Sequence, residues 1–367
     1  MRIAHVISTR GFAGAERFLA AMIQEGHAVG WDQTLLNPFA GGSSDLPRLF
    51  APAHYRGRPC DSALALPGVR RWLKRELAEL RPDIVHVMLP HALILVATLP
   101  RRPGESRLLT HVYGEGIRMK RYGRVREALD SWAGSRFDRV VGISRAVQQY
   151  LISSQGYPAS KVDCIPLGWE GEPLPPDRSP RPPTVVCVAQ FRPEKGHDVL
   201  LDAFAVVRRQ VPDARLVLVG QGELEEELRA RVKSLGLGDS VELTGPVEDV
   251  WPYLASADVF ALASNSEAYG IAIAEAMAAG LPVVASEVGG IPELVAPGIT
   301  GELFAPGDRG ALAAHLARLL TSPELRSRMS DAAREGAEPL RLRNTLPRYV
   351  EVCNELVRAQ KAELEGR

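Results

Sequence analysis

Cysteine is scarce and scattered: Cys60, Cys164, Cys187 and Cys353 form no CxxC pair and no cluster with histidine. This excludes a thiolate metal site of the usual spacing and a disulfide framework. Reduced, mostly buried thiols are expected instead, as in a cytosolic protein. Long apolar runs are also missing. The longest, "ALILVATL" at 92–99, is far short of the ~18 residues that span a bilayer. "MRIAHVISTRGFAG" has no long apolar region before its first polar turn, so neither secretion nor a membrane crossing is expected. There is no low-complexity tract, no G-x-G-x-x-G fingerprint, no carboxylate metal motif and no recognised nucleic-acid motif.

At 367 residues, with 46% hydrophobic and 24% charged residues, the composition is that of an ordinary globular protein. The length exceeds what one core usually supports, so two domains are expected. Basic and acidic residues number 44 each, yet they are unevenly shared: residues 1–170 carry a net +8 and residues 171–367 a net −8. Either the first half meets something anionic, such as a phosphate-rich lipid surface or a phosphorylated substrate, or the two halves attract each other.

Apolar strand-like runs alternate with amphipathic helical windows. "RIAHVI" (2–7), "DIVHVM" (83–88), "RLLTHV" (107–112) and "DRVVGI" (138–143) each lead into a helical stretch, the pattern of parallel βαβ units. Prolines in "GEPLPPDRSPRPP" (171–183) forbid helix interior and central strand, which reads as a linker. The alternation restarts with "TVVCVAQ" (184–190), "ARLVLVG" (214–220), "SVELTG" (240–245), "DVFALA" (258–263) and "PVVAS" (282–286). A helical region follows over 308–336. Val350, Leu356 and Val357 then predict a last helix over 344–367, free to return to the first domain. The expected fold is α/β: a first domain over 1–170, a linker over 171–183 and a second domain over 184–343, two Rossmann-like parallel sheets facing across a deep cleft. Ligands in such sheets bind beyond the carboxyl ends of the strands.

The loops after those strands carry the chemistry. In "CVAQFRPEKGHDVLLDAF" (187–204), Arg192 and Lys195 share one turn and Asp198 can cap the next helix. Two cations beside a helix N-terminus suit a diphosphate, although Arg-x-x-Lys is also an ordinary solvated pair. Gly220 and Gly222 read as a tight strand-to-helix connection, and Val247 lies where a nucleotide base would be met. In "SNSEAYGIAIAEAMAAGLPVVAS" (264–286), Gly270 opens a helix running to about Ala279, leaving the N–H groups near Ile271 and Ala272 as anion donors. Glu267 and Glu275 stand eight apart, which in pure helix spans ~12 Å. That exceeds the ~5–9.5 Å of a glycosidase carboxylate pair. It suits two hydroxyl-bearing rings with phosphates between them, as in a nucleotide-sugar; a capping Glu267 and a surface Glu275 are the alternative.

Taken in order, "RPEKG", "LVLVGQGELEEEL" and "SNSEAYGIAIAEAMAAGLPVVASEVGGIPELV" resemble the C-terminal domain of the family 4 retaining glycosyltransferases of the GT-B fold. The resemblance covers nearly the whole chain and is looser in the first half. It implies that Glu267 bonds donor-sugar hydroxyls near the reactive face, that Glu275 binds the ribose, and that Arg192 and Lys195 neutralise the departing diphosphate. Gly270, Ile271 and Ala272 would contact phosphate, with Ala268 and Tyr269 standing where the family often has glycine and phenylalanine. In the first half, "RGFAGAERF" (10–18) resembles the Gly-rich loop, with Gly14 near diphosphate or acceptor and Glu16 behind it. "LLTHVYGEG" (108–116) resembles the segment whose histidine, here His111, faces the donor sugar. His86 and His91 read as structural, and Ser144 as a helix cap.

The resemblance implies a hexosyltransferase acting with retention, on a nucleotide-diphosphate sugar with UDP expected first and GDP next, and with neither cofactor nor bound metal. Arg192, Lys195 and the helix end would meet the leaving-group charge, and a carbohydrate or lipid-linked hydroxyl would be the acceptor, in bacterial polysaccharide, lipopolysaccharide or glycolipid synthesis. No nucleic-acid partner is expected. The basic stretch "IRMKRYGRVREALDSW" (117–132) repeats Met119, Tyr122, Val125 and Leu129 at helical spacing. It either packs on its own core or rests on the anionic inner face of the cytoplasmic membrane. A nucleotide-sugar epimerase of the same fold and a non-catalytic nucleotide-sugar-binding subunit are the alternative functions.

Overall fold

The computed structural model describes residues 1–9, 14–39, 46–58, 66–111, 128–177 and 179–365. The chain divides into two compact units, residues 1–167 with 342–367, and residues 168–341. The first is built on a seven-stranded parallel sheet: β1 (Arg2–Ile7), β2 (Asp32–Asn37), β3 (His54–Gly57), β4 (Ile84–Met88), β5 (Ser106–His111), β6 (Arg139–Gly142) and β7 (Val162–Cys164), in the order β3-β2-β1-β4-β5-β6-β7. The inner strands are covered on both faces, which is why β1, β4 and β6 read as near-continuous apolar runs.

Helices α1 (Gly14–Ala28), α2 (Leu46–Leu49), α3 (Leu66–Leu80) and α4 (Pro90–Ala97) connect these strands. Residues 128–134 form helical α5, and α6 (Arg145–Ser153) follows β6. Ser144 caps α6 by accepting the Val147 N–H at 3.1 Å, which stabilises it by about 1 kcal/mol. Most of the basic stretch 117–132 lies outside the described residues.

The second unit carries six parallel strands: β8 (Thr184–Val188), β9 (Arg215–Val219), β10 (Val241–Gly245), β11 (Val259–Leu262), β12 (Val283–Ser286) and β13 (Gly301–Phe304), in the order β10-β9-β8-β11-β12-β13. Its helices are α7 (His197–Gln210), α8 (Glu225–Ser234), α9 (Trp251–Ala255), α10 (Ile271–Ala278), α11 (Arg309–Thr321) and α12 (Pro323–Ala337). One expected helical region at 308–336 is thus two helices, broken where Ser322 and Pro323 end the first and start the second.

The proline-rich stretch belongs to this second unit: Arg181 bonds Asp258 at 2.7 Å and the Asp177 N–H reaches the Ala255 carbonyl. Trp169 donates its indole N–H to the Ala337 carbonyl at 2.7 Å and stacks edge-on against Trp251. The last helix, α13 (Leu342–Glu365), joins the first unit. Tyr349 packs on Phe18 of α1, Gln360 bonds Ser106 at 2.8 Å, and Glu355 pairs with Arg139.

In each sheet the chain winds one way and then the other, reversing between β1 and β4 and between β8 and β11. Loops leaving two such strands part to opposite faces, so the crevice at their carboxyl ends is where a ligand fits. In the second unit those loops are 189–196 and 263–270.

Candidate functional site

Arg192 and Lys195 sit on the loop after β8, a short 3-10 turn over Pro193–Lys195 that closes on Gly196. Gly196 is left-handed (φ 62°), and a Cβ there would lie 2.0 Å from the Ala263 carbonyl oxygen. Only glycine lets this loop press so closely on the end of β11. Two hydrogen bonds lock the contact: the Asn265 N–H donates to the Glu194 carbonyl at 2.8 Å, and the Asn265 side-chain amide donates to the Pro193 carbonyl at 3.2 Å.

With the loops fastened, Lys195 Nζ meets Glu267 Oε2 at 2.5 Å, both side chains being largely buried. Arg192, three residues earlier, is exposed. Glu267 is held from behind as well. A Cβ on Gly289 would lie 1.8 Å from the Glu267 carbonyl oxygen, and the Gly290 N–H donates to that same oxygen at 3.1 Å.

Gly270 (φ 96°) turns the chain into α10, whose first N–H groups, near Ile271 and Ala272, lack intrahelical acceptors and carry the positive end of the helix dipole. Glu267 therefore precedes the helix, while Glu275 lies buried in its second turn. The pure-helix span from one carboxylate to the other does not apply. Tyr269 is buried beside Gly270, and Val247 is half-buried in the loop after β10. Gly220 and Gly222 press on the Ala189 and Phe191 carbonyls, the tight connection their spacing suggests.

Beneath Lys195, His197 begins α7 at 2% exposure, edge-on to Phe191. Both of its ring nitrogens lack a hydrogen-bond partner among the described residues. Burial, then the neighbouring Lys195 charge, lowers its pKa to about 4 against a smaller opposing pull from Asp198, so the ring is neutral. No group of three His, Cys, Asp or Glu among the described residues could hold a metal ion.

The remaining candidates belong to the first unit. Gly14 begins α1, Glu16 is buried in its first turn, and His111 ends β5 with its side chain outside the description. His86 is fully buried.

Family comparison fits this geometry. The Glycosyltransferase Family 4 model matches residues 12–170, and the Glycosyl transferases group 1 model matches residues 175–336. The GDP-mannose-dependent alpha-(1-6)-phosphatidylinositol monomannoside mannosyltransferase of Mycolicibacterium smegmatis is 30% identical over 326 residues, 83% of this chain and 85% of that one. The protein of the same name from Mycobacterium tuberculosis is 32% identical over 305 residues, 77% of this chain and 79% of that one. The chain is a family 4 glycosyltransferase. Its fold is GT-B, similar to Anabaena Alr3699/HepE solved with UDP, at a TM-score of 0.81 and 19% identity over 97% of this chain and 100% of that one.

For this glycosyltransferase, sequence reasoning missed the residues that position others. Asn265, Gly289 and Gly290 fix the backbone of Lys195 and Glu267 without presenting chemistry of their own. The Gly-Gly doublet within "EVGGIPELV" was the available signal. No helix among the described residues is long and apolar enough to cross a membrane.

Proposed function

We propose that this glycosyltransferase moves a hexosyl group from a nucleotide-diphosphate sugar to an acceptor hydroxyl with retention of anomeric configuration and without a metal. The observation that carries the reading is the Lys195–Glu267 contact, fastened between the two switch-point loops and beside the N-terminus of α10. Cations and a helix end that converge on one spot suit a diphosphate. As donor arrives, Lys195 turns from Glu267 toward the diphosphate with Arg192, and Glu267 is released to the sugar hydroxyls. Glu275 holds the ribose, and Val247 and Tyr269 border the nucleotide. From the first unit, His111 meets the donor sugar while Gly14 and Glu16 face diphosphate and acceptor.

The anomeric C–O bond breaks with its electron pair going to the diphosphate, whose charge Lys195, Arg192 and the α10 end stabilise. The acceptor oxygen bonds the anomeric carbon on the same face and gives its proton to the leaving phosphate oxygen. Among donors, GDP-mannose is the first to test, because the two mycobacterial relatives are GDP-mannose-dependent by name and align over most of this chain. UDP-sugars, the family expectation, are the second. A lipid-linked or carbohydrate acceptor is proposed, in cytoplasmic synthesis of glycolipid, lipopolysaccharide or polysaccharide, with the +8 half resting on the anionic inner leaflet.

Thermal shift with GDP, UDP and their sugars tests the donor site: ligand at 100 times its Kd adds about 2.7 kcal/mol to stability. The shift is expected with one nucleotide and lost in Lys195→Ala. Glu267→Gln should keep the nucleotide shift while turnover falls about 100-fold or more, and a chelator should leave turnover unchanged. Isomerised free donor without transfer would favour the epimerase; no shift with any nucleotide would refute the donor site.

A further inference from the structure

A row of polar side chains crosses the apolar middle of the first sheet. Gln33 on β2, His5 on β1, His86 on β4 and Thr110 on β5 are each at most 5% exposed. They touch in sequence: His5 Nε2 to Gln33 Oε1 at 3.0 Å, His5 Nδ1 to His86 Nδ1 at 2.9 Å, and His86 Nε2 to Thr110 Oγ1 at 2.8 Å.

The hydrogens of this row have one consistent arrangement. Gln33 Nε2 donates to the Ile23 carbonyl of α1 at 2.8 Å, so its Oε1 is the atom facing His5 and must accept. His5 therefore carries its proton on Nε2, and its Nδ1 is an acceptor. The contact between the two Nδ1 atoms then needs a proton on His86 Nδ1, which leaves His86 Nε2 to accept from the Thr110 hydroxyl. Both rings are neutral: burial foremost lowers His5 to about 4 and His86 well below its ordinary value. A second proton on His5 would set two N–H groups against each other, and one on His86 would displace the Thr110 hydroxyl hydrogen. Tyr349 of α13 stands at the end of the row, its hydroxyl next to Thr110 and donating to the Ile165 carbonyl at 3.3 Å.

Each end of the row is attached to an element that carries first-unit site residues. Ile23 belongs to α1, whose first turn carries Gly14 and Glu16. Thr110 directly precedes His111 at the tip of β5. The row passes through β1 and β4, the strands between which the winding reverses. We infer that Gln33, His5, His86 and Thr110 are positioning residues: a one-directional hydrogen-bond chain that fixes the tip of β5, and with it His111, relative to α1 for the transfer step. Strand pairing alone fixes register along the strands; the chain adds a restraint across them, because satisfied buried polar networks admit one arrangement where apolar packing admits several. The inference rests on the first-unit site residues proposed above.

Two measurements on the full-length chain test it. Long-range nitrogen–proton NMR of the imidazoles should report His5 as the Nε2–H form and His86 as the Nδ1–H form; the opposite form on either ring overturns the chain whatever sugar is transferred. Thr110→Val removes the hydroxyl at nearly constant shape and should lower kcat about tenfold or more, with donor KM held within about twofold. Thr110→Ser, which keeps the hydroxyl, should restore kcat. Unchanged kcat in the valine variant, or no rescue by serine, overturns the positioning role. Should the valine variant fail to fold, the serine variant and the tautomers still decide. Absence of turnover by the unsubstituted chain with every nucleotide sugar would instead refute the functional reading, and the tautomer result would stand apart from it.

Discussion

Gly289→Ala is a sharp probe of how Glu267 is held. A methyl at 289 would lie 1.8 Å from the Glu267 carbonyl oxygen, whereas real contacts of this kind stay beyond 3.0 Å, so one of the two must recede by about 1.2 Å. Gly289 is also left-handed, at φ 50°, which costs an alanine roughly 1–2 kcal/mol. The Gly290 hydrogen bond to the same carbonyl, 3.1 Å long, would be lost for about 1 kcal/mol more. If the 289 loop yields, stability falls by about 2–3 kcal/mol, or several degrees in Tm for a unit of this size. If the Glu267 loop yields, a displacement near 1 Å lowers turnover on the order of 100-fold. Gly298→Ala is the control: its φ is 77° and a Cβ there meets nothing within 4 Å, so it carries the backbone strain without the clash. Donor turnover and thermal unfolding of both variants separate the terms. Gly289→Ala with the activity and Tm of Gly298→Ala would refute the reasoning.

Acid should weaken both units. His5 and His197 have folded pKa values of about 4 against an ordinary 6.5, so between these values the unfolded chain binds more protons. Stability is full above pH 6.5 and falls as pH drops toward 4, by ~3 kcal/mol for each histidine. Urea unfolding that is flat from pH 7 to pH 5 would contradict this. Arg107→Met should cost about 3 kcal/mol or more in the same assay, because Glu105 is 2% exposed and Arg107 also holds the Val96 and Leu99 carbonyls at the end of α4. A loss under about 1 kcal/mol would mean that Arg102, 3.6 Å from Glu105, takes over the pairing.

The strands that define the parallel sheets were legible because burial on both faces makes them apolar runs: "RIAHVI" and "DIVHVM" became β1 and β4 within a residue. β2, "DQTLLN", escaped because four of its six residues are polar, its Gln33 serving the buried chain rather than solvent. Edge strands β3, β7 and β13 are three or four residues long, too short for any periodicity to declare itself. Strand order was not readable at all, since it depends on crossovers that leave no local trace. For the site, "RPEKG" and the Glu267–Glu275 stretch stood out as text, but the contact of Lys195 with Glu267 spans 72 positions and is made by loop geometry. The pairing of His5 with His86 was invisible for the same reason: each looks like a lone core histidine until the sheet brings β1 beside β4.

The last helix gives the chain an unusual order of assembly. Everything the second unit needs lies between residues 168 and 341, in one uninterrupted stretch, whereas the first unit waits for α13. During synthesis the early sheet is made first yet stays unsealed, with Phe18 lacking its Tyr349 cover and Ser106 its Gln360 partner, while the later domain is completed ahead of it. Damage to α13 would therefore be felt in the first unit, the half that was translated first.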